Sequence, residues 1–230
     1  MLNTPRSTWG IQDLAKSRVV LKLIKELEDS NFRVIFQTRA GLDYFKPDIE
    51  EAKIQLAAVT AMMDDIDPYN ICNPEIIHVV SYSEALYLAT PDIINDSIKI
   101  TRKALHEYRN KKKELDIITE AEDKIAVRMM QLENDTRRLL KAMENSIPNL
   151  YSAKGFYIAF VAGWLPVPQL WLDSDEFKMA KQWQIQMSNG GLAIEKDGLI
   201  MSVDSRINKC IENIKKAEYI FKSKYGDKRL

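Results

Sequence analysis

The chain has 230 residues, with 33 basic and 33 acidic side chains and a formal net charge of zero. That balance speaks against a nucleic-acid binder, which carries a basic excess. A hydrophobic fraction of 46% beside 29% charged residues excludes a disordered chain, and only 8 Gly and 8 Pro speak against a loop-rich all-β fold.

No apolar run approaches the roughly 18 residues of a membrane span, so no membrane association is expected. The start Met1-Leu2-Asn3-Thr4-Pro5-Arg6 lacks the basic lead and apolar core of a signal peptide. Cys72 and Cys210 are far apart and fit no metal spacing. The expected setting is a reducing cytoplasm.

Ile11, Leu14, Val20, Leu23, Ile24 and Leu27 recur at helical spacing and predict a helix over 11–28, stopped by Asp29-Ser30-Asn31. Phe32-Arg33-Val34-Ile35-Phe36-Gln37 is short, β-branched and aromatic, and predicts a strand. Thr38 to Phe45 reads as a loop, and Pro47-Asp48 opens a helix over 48–65. An irregular connection leads to Glu75–Ser81, whose continuous apolar run suits a strand buried on both faces of a parallel sheet. Thr90-Pro91 then starts a helix over about 91–109. Helices alternating with two strands make α/β grammar with parallel pairing.

The pattern changes after residue 110. Lys111-Lys112-Lys113 reads as a solvated connection. Ile118, Ala121, Ile125, Met129, Leu132, Thr136, Leu139 and Met143 form one stripe of a long helix over 115–145, ended by Pro148. Segment 150–163 fits either a buried helix or a strand. Gly163 to Pro168 carries two prolines and is not regular helix. Asn189-Gly190-Gly191 is a turn, 192–195 and 199–203 form a hairpin about Asp197-Gly198, and a helix covers about 204–223. The expected division is 1–110 and 111–230.

Two strands with three helices do not complete a covered sheet. The expected fold class is therefore α/β, the last part of a (β/α)8-type barrel, followed by a mostly helical C-terminal extension with a small hairpin. The missing strands come from another chain, or the sequence is part of a larger barrel.

In parallel α/β barrels function collects at the C-terminal strand ends. That points to Gln37, Thr38, Arg39, Ala40 and Gly41, and to Ser81, Tyr82, Ser83 and Glu84. Gln37 and Arg39 offer donors, Gly41 permits close backbone approach, and Glu84 offers a carboxylate. Arg39 and Glu84 also fit a rim ion pair, and Tyr82 fits packing as well as contact. His78 reads as a packing histidine and His106 as a solvated one. No acid, base or nucleophile stands out, and no metal cluster or phosphate loop occurs. Met62, Met63, Met129 and Met130 read as core. Trp164, Pro166, Pro168 and Trp171 fit either packing under a loop or a partner surface.

Ile76-Ile77-His78-Val79-Val80-Ser81-Tyr82-Ser83-Glu84-Ala85, with Thr90 and then Ile98-Lys99-Ile100-Thr101-Arg102, resembles the last barrel strand and following helix of the glutamate mutase (methylaspartate mutase) E subunit family. Val34-Ile35-Phe36-Gln37 with Gly41 is similar to that family's preceding strand and loop, and Gly10-Ile11-Gln12-Asp13 to an earlier helix start. The C-terminal helix, extended part and hairpin follow in the family's order. The resemblance covers the C-terminal half of that subunit. It implies adenosylcobalamin as cofactor, bound by Glu84, Gln37, Arg39, Gly41 and Tyr82. It implies a radical carbon-skeleton rearrangement, a complementary chain with the N-terminal barrel strands, and a small cobalamin-binding subunit. The family's lysine on the last strand falls at Val80, and its substrate-binding arginines have no counterpart. An alternative expectation is a non-catalytic assembly subunit on a diverged barrel piece. A stand-alone α/β binding protein is a third.

Overall fold

A computed structural model describes residues 10–41, 45–115, 120–167, 175–188 and 191–226. The chain is mixed α/β, dominated by helix, and divides into two compact units, 1–133 and 134–230. The division falls inside a long helix.

The first unit runs α1 (Gly10–Lys25), β1 (Gln37–Arg39), α2 (Ile49–Asp64), β2 (Ile76–His78), α3 (Pro91–Leu115) and the start of α4 (Glu120–Ser146). Asp48 caps α2 by accepting the amide of Glu51 at 2.8 Å. β1 and β2 are parallel, with Gln37 beside Ile76, Thr38 beside Ile77 and Arg39 beside His78. Leu14, Ala15, Ala52, Leu56, Val59, Met63, Val80 and Ile125 build the core under this sheet.

Both strands are shorter than their sequences suggest, and β1 sits at the end of its expected span. The residue before Glu75 is Pro74, which has no amide hydrogen to extend the ladder upstream. The amide of Ile76 reaches the carbonyl of Phe36 at 3.2 Å. The Glu75 carboxylate takes the amide of Phe36 at 2.8 Å and Arg33 at 2.7 Å. Glu28 takes the amide of Val34 at 2.7 Å and Asp29 that of Phe32 at 2.9 Å, so segment 32–36 is tied mainly by side chains instead of a ladder. β2 is not buried on both faces, since Ile76 is 46% exposed.

The three lysines at 111–113 are helical, not a connection. Tyr108 and Lys112 both bond the Asp65 carboxylate at the end of α2, and Lys112 also lies over the Tyr108 ring. Lysine is a good helix former, and these contacts carry α3 past its expected end.

The second unit holds the rest of α4, α5 (Ala153–Val161), a short 3-10 turn at Asp175–Phe177, α6 (Lys178–Lys181), β3 (Gln184–Ser188), β4 (Gly191–Lys196), β5 (Leu199–Ile200) and α7 (Val203–Tyr225). Ser152 caps α5 through the amide of Gly155 at 3.0 Å, so this stretch is helix. The three strands are antiparallel in the order β3-β4-β5. Asp197 and Gly198 both have positive φ, as a two-residue type I′ hairpin requires. β3, with its alternating glutamines, carries no strong apolar signal and was not expected.

Trp164 packs in the core of this unit at 1% exposure, which settles it as a packing residue. Pro168 and Trp171 lie outside the described residues. Met63 is buried, Met62 and Met129 pack against the first core, and Met130 is exposed, against the core reading. No helix among the described residues is long and apolar enough to cross a membrane.

Candidate functional site

Because β1 and β2 are parallel, their C-terminal ends lie at one edge of the sheet. Paired residues of a parallel ladder share a face, and neighbours along a strand alternate. Thr38 and Ile77 therefore share one face, and Thr38 is buried there, its hydroxyl without a hydrogen-bond partner among the described residues. Gln37, Arg39, Ile76 and His78 share the other face. Gln37, Arg39, Ile76 and His78 are all exposed.

The structure thus places Gln37 and Arg39 together and adds His78 beside them. The packing reading of His78 is corrected: the histidine stands on the open face, in register with Arg39. The parity of the strand carried that signal, since His78 lies two residues from Ile76 along β2. Arg39 has no ion-pair or hydrogen-bond partner among the described residues. No rim pair joins it to Glu84.

The other expected site residues are disposed differently. Gly41 follows the strand end and turns back into the buried layer with Ala40. Tyr82 is only 6% exposed and belongs to the core; its hydroxyl donates to Asp96 at 3.2 Å. Burial, then the Asp96 hydrogen bond, pushes its phenol above the ordinary value of 10.0. Tyr82 is a packing residue and presents little surface to a ligand. Glu84 is exposed but folds its carboxylate onto the amide of Ser81 at 3.1 Å, and its own amide reaches the Ser81 carbonyl at 3.1 Å. One carboxylate oxygen is thereby engaged in holding the turn. The loop continues through exposed Leu86, Tyr87 and Leu88.

Beside β1 an apolar groove of about 300 Å³ opens between α1 and segment 34–39, lined by Val20, Ile24, Val34, Ile35, Phe36 and Met63. Among the described residues no group of three or more His, Cys, Asp or Glu is arranged to hold a metal ion.

No family model, no curated protein and no solved structure matches this chain.

Proposed function

We propose that this chain is a barrel component of an adenosylcobalamin-dependent carbon-skeleton mutase. It would act with a chain that supplies the remaining barrel strands and with a small cobalamin-binding subunit. One observation carries the reading: a two-stranded parallel sheet has both outer edges without a strand partner among the described residues, and one face bare. Parallel sheets are covered on both faces, and an open edge is a template for another strand. The order strand, helix, strand, helix over 37–115 is that of a β/α repeat. α1 precedes β1 as the helix of an earlier strand would. The groove beside β1 lies on the side where that strand would pair.

The residues fit the cofactor in part. Gln37, Arg39 and His78 offer donors on the face that a closed barrel would turn inward, and Glu84 keeps one oxygen for a hydroxyl group. The cofactor itself supplies radical chemistry, and the chain's own residues would orient groups and exclude water.

A second reading, a non-catalytic assembly subunit, is favoured by Val80. The resemblance places a lysine at this position, and here the side chain is buried in the core. The test is purification of the chain from its native source under mild conditions, with mass spectrometry and a visible spectrum. A partner bearing barrel strands together with corrinoid absorbance supports the mutase. The same partner without corrinoid supports the assembly subunit. A compact monomer alone overturns both.

A further inference from the structure

We infer that the bare face of the β1–β2 sheet binds a small oxyanion, a carboxylate or a phosphate, between Arg39 and His78 with Gln37 alongside. The register makes Arg39 and His78 direct neighbours across the ladder, and adjacent strands lie about 4.8 Å apart. Gln37 projects from the same face one step up β1. The face therefore gathers a guanidinium fork, an imidazole N–H and an amide, and among the described residues no acid. Arginine matches two oxygens of a carboxylate or phosphate at once, and imidazole in either tautomer adds a donor.

Arg18, Arg33 and Arg109 each meet a carboxylate of their own chain: Glu122, Glu75 and Asp64 respectively. Arg39 meets none. Among the described residues, the two acids nearest the face in sequence are already engaged. Glu75 holds Phe36 and Arg33, and Glu84 holds Ser81. A guanidinium beside an imidazole, with no counter-charge among the described residues, is complementary to an external anion. This inference does not rest on the cobalamin reading, because the face exists in the chain by itself.

The test is a titration of the full chain followed by NMR at the His78 ring. There are two histidines in the sequence, His78 and His106, so H106Q assigns the signal. The probes are succinate and inorganic phosphate, with sodium chloride matched for ionic strength. Saturable shifts at His78 in the millimolar range with either probe, absent with chloride, are expected. Whichever probe saturates names the source of the oxyanion. R39Q weakens the apparent affinity by about fivefold, the scale of one exposed charge contact, while R33Q leaves it unchanged. All these side chains are exposed, so the variants fold, and a circular dichroism melt checks this. Linear drift equal to that with chloride, or saturation indifferent to R39Q, overturns the site.

Discussion

Arg109 closes on Asp64 with two donors, Nε at 2.9 Å and Nη2 at 2.6 Å from the same carboxylate oxygen, and Nη2 also takes the carbonyl of Asn73 at 2.9 Å. The Asp64 side chain is 7% exposed and that of Arg109 is 27% exposed. One guanidinium thus joins the end of α2, the middle of α3 and the segment leading into β2. Removing one partner of such a pair strands a buried charge, which costs more than the pair contributes. R109A should therefore destabilise the chain by about 3 kcal/mol in urea unfolding. The double variant D64L/R109M should lose less than R109A. A loss for R109A no larger than that of a surface substitution would show that the carboxylate is solvated.

Arg18 ties α1 to the start of α4 by a fork onto Glu122, with contacts of 2.6 and 3.0 Å. Its Nε and Nη2 also hold the Asp65 carbonyl. The Arg18 hydrogen bond holds the Glu122 carboxyl below its ordinary value of 4.5. With the folded value depressed, the unfolded chain takes up the proton first as pH falls. The stabilisation is present above 4.5 and is lost as pH drops through the folded value. Urea midpoints measured from about pH 6 down to about pH 3 should fall less steeply in E122Q than in the parent chain. Parallel profiles would remove Glu122 from the acid response.

Much of the helical skeleton was legible because its boundaries are local chemistry. Asp48 caps α2 and Pro91 opens α3 as the sequence suggests. Asp197-Gly198 takes the positive φ values of its hairpin. The strands were less legible because a ladder depends on its partner. Phe32–Phe36 has the composition of a strand, yet Pro74 ends the partner's donors and leaves it outside the pairing. The solvated reading missed Lys112 because its counter-charge, Asp65, lies far away in sequence. The strand-end rule led to Gln37 and Arg39. It did not separate them from Tyr82, whose partner Asp96 sits on the next helix. His78 was misread because a strand assumed buried on both faces hides which parity stays open.

In the second unit Gly163 ends α5 at φ +92°, and a Cβ there would lie 2.6 Å from the carbonyl oxygen of Met179. Its own carbonyl accepts the indole N–H of Trp183 at 2.9 Å. G163A thus meets both a disfavoured backbone and a backbone clash beside a buried tryptophan. A loss of about 3 kcal/mol is expected. Gly198 is the control, because its φ is +80° but a Cβ there meets nothing within 4 Å. G198A should lose only about 1 kcal/mol, the backbone cost alone. Thermal unfolding of the two variants side by side decides it, and equal losses would mean that the Met179 carbonyl yields.

The open edge of β1 separates folding from assembly. Ile35 is 61% exposed and lines the groove against α1, so it contributes little to the chain's own core. A charge there should change the unfolding free energy by less than about 0.5 kcal/mol, as at other surface positions. If a partner strand lies along this edge, the same charge becomes buried against apolar backbone and side chains, and burying an unpaired carboxylate is prohibitive. I35E should therefore keep the melting profile of the parent chain and fail to bring down the barrel-bearing partner from the native source. E51Q, on the exposed side of α2, should retain it. An I35E chain that still recovers the partner would place the interface elsewhere. It would also remove the β1 edge as the site of barrel completion.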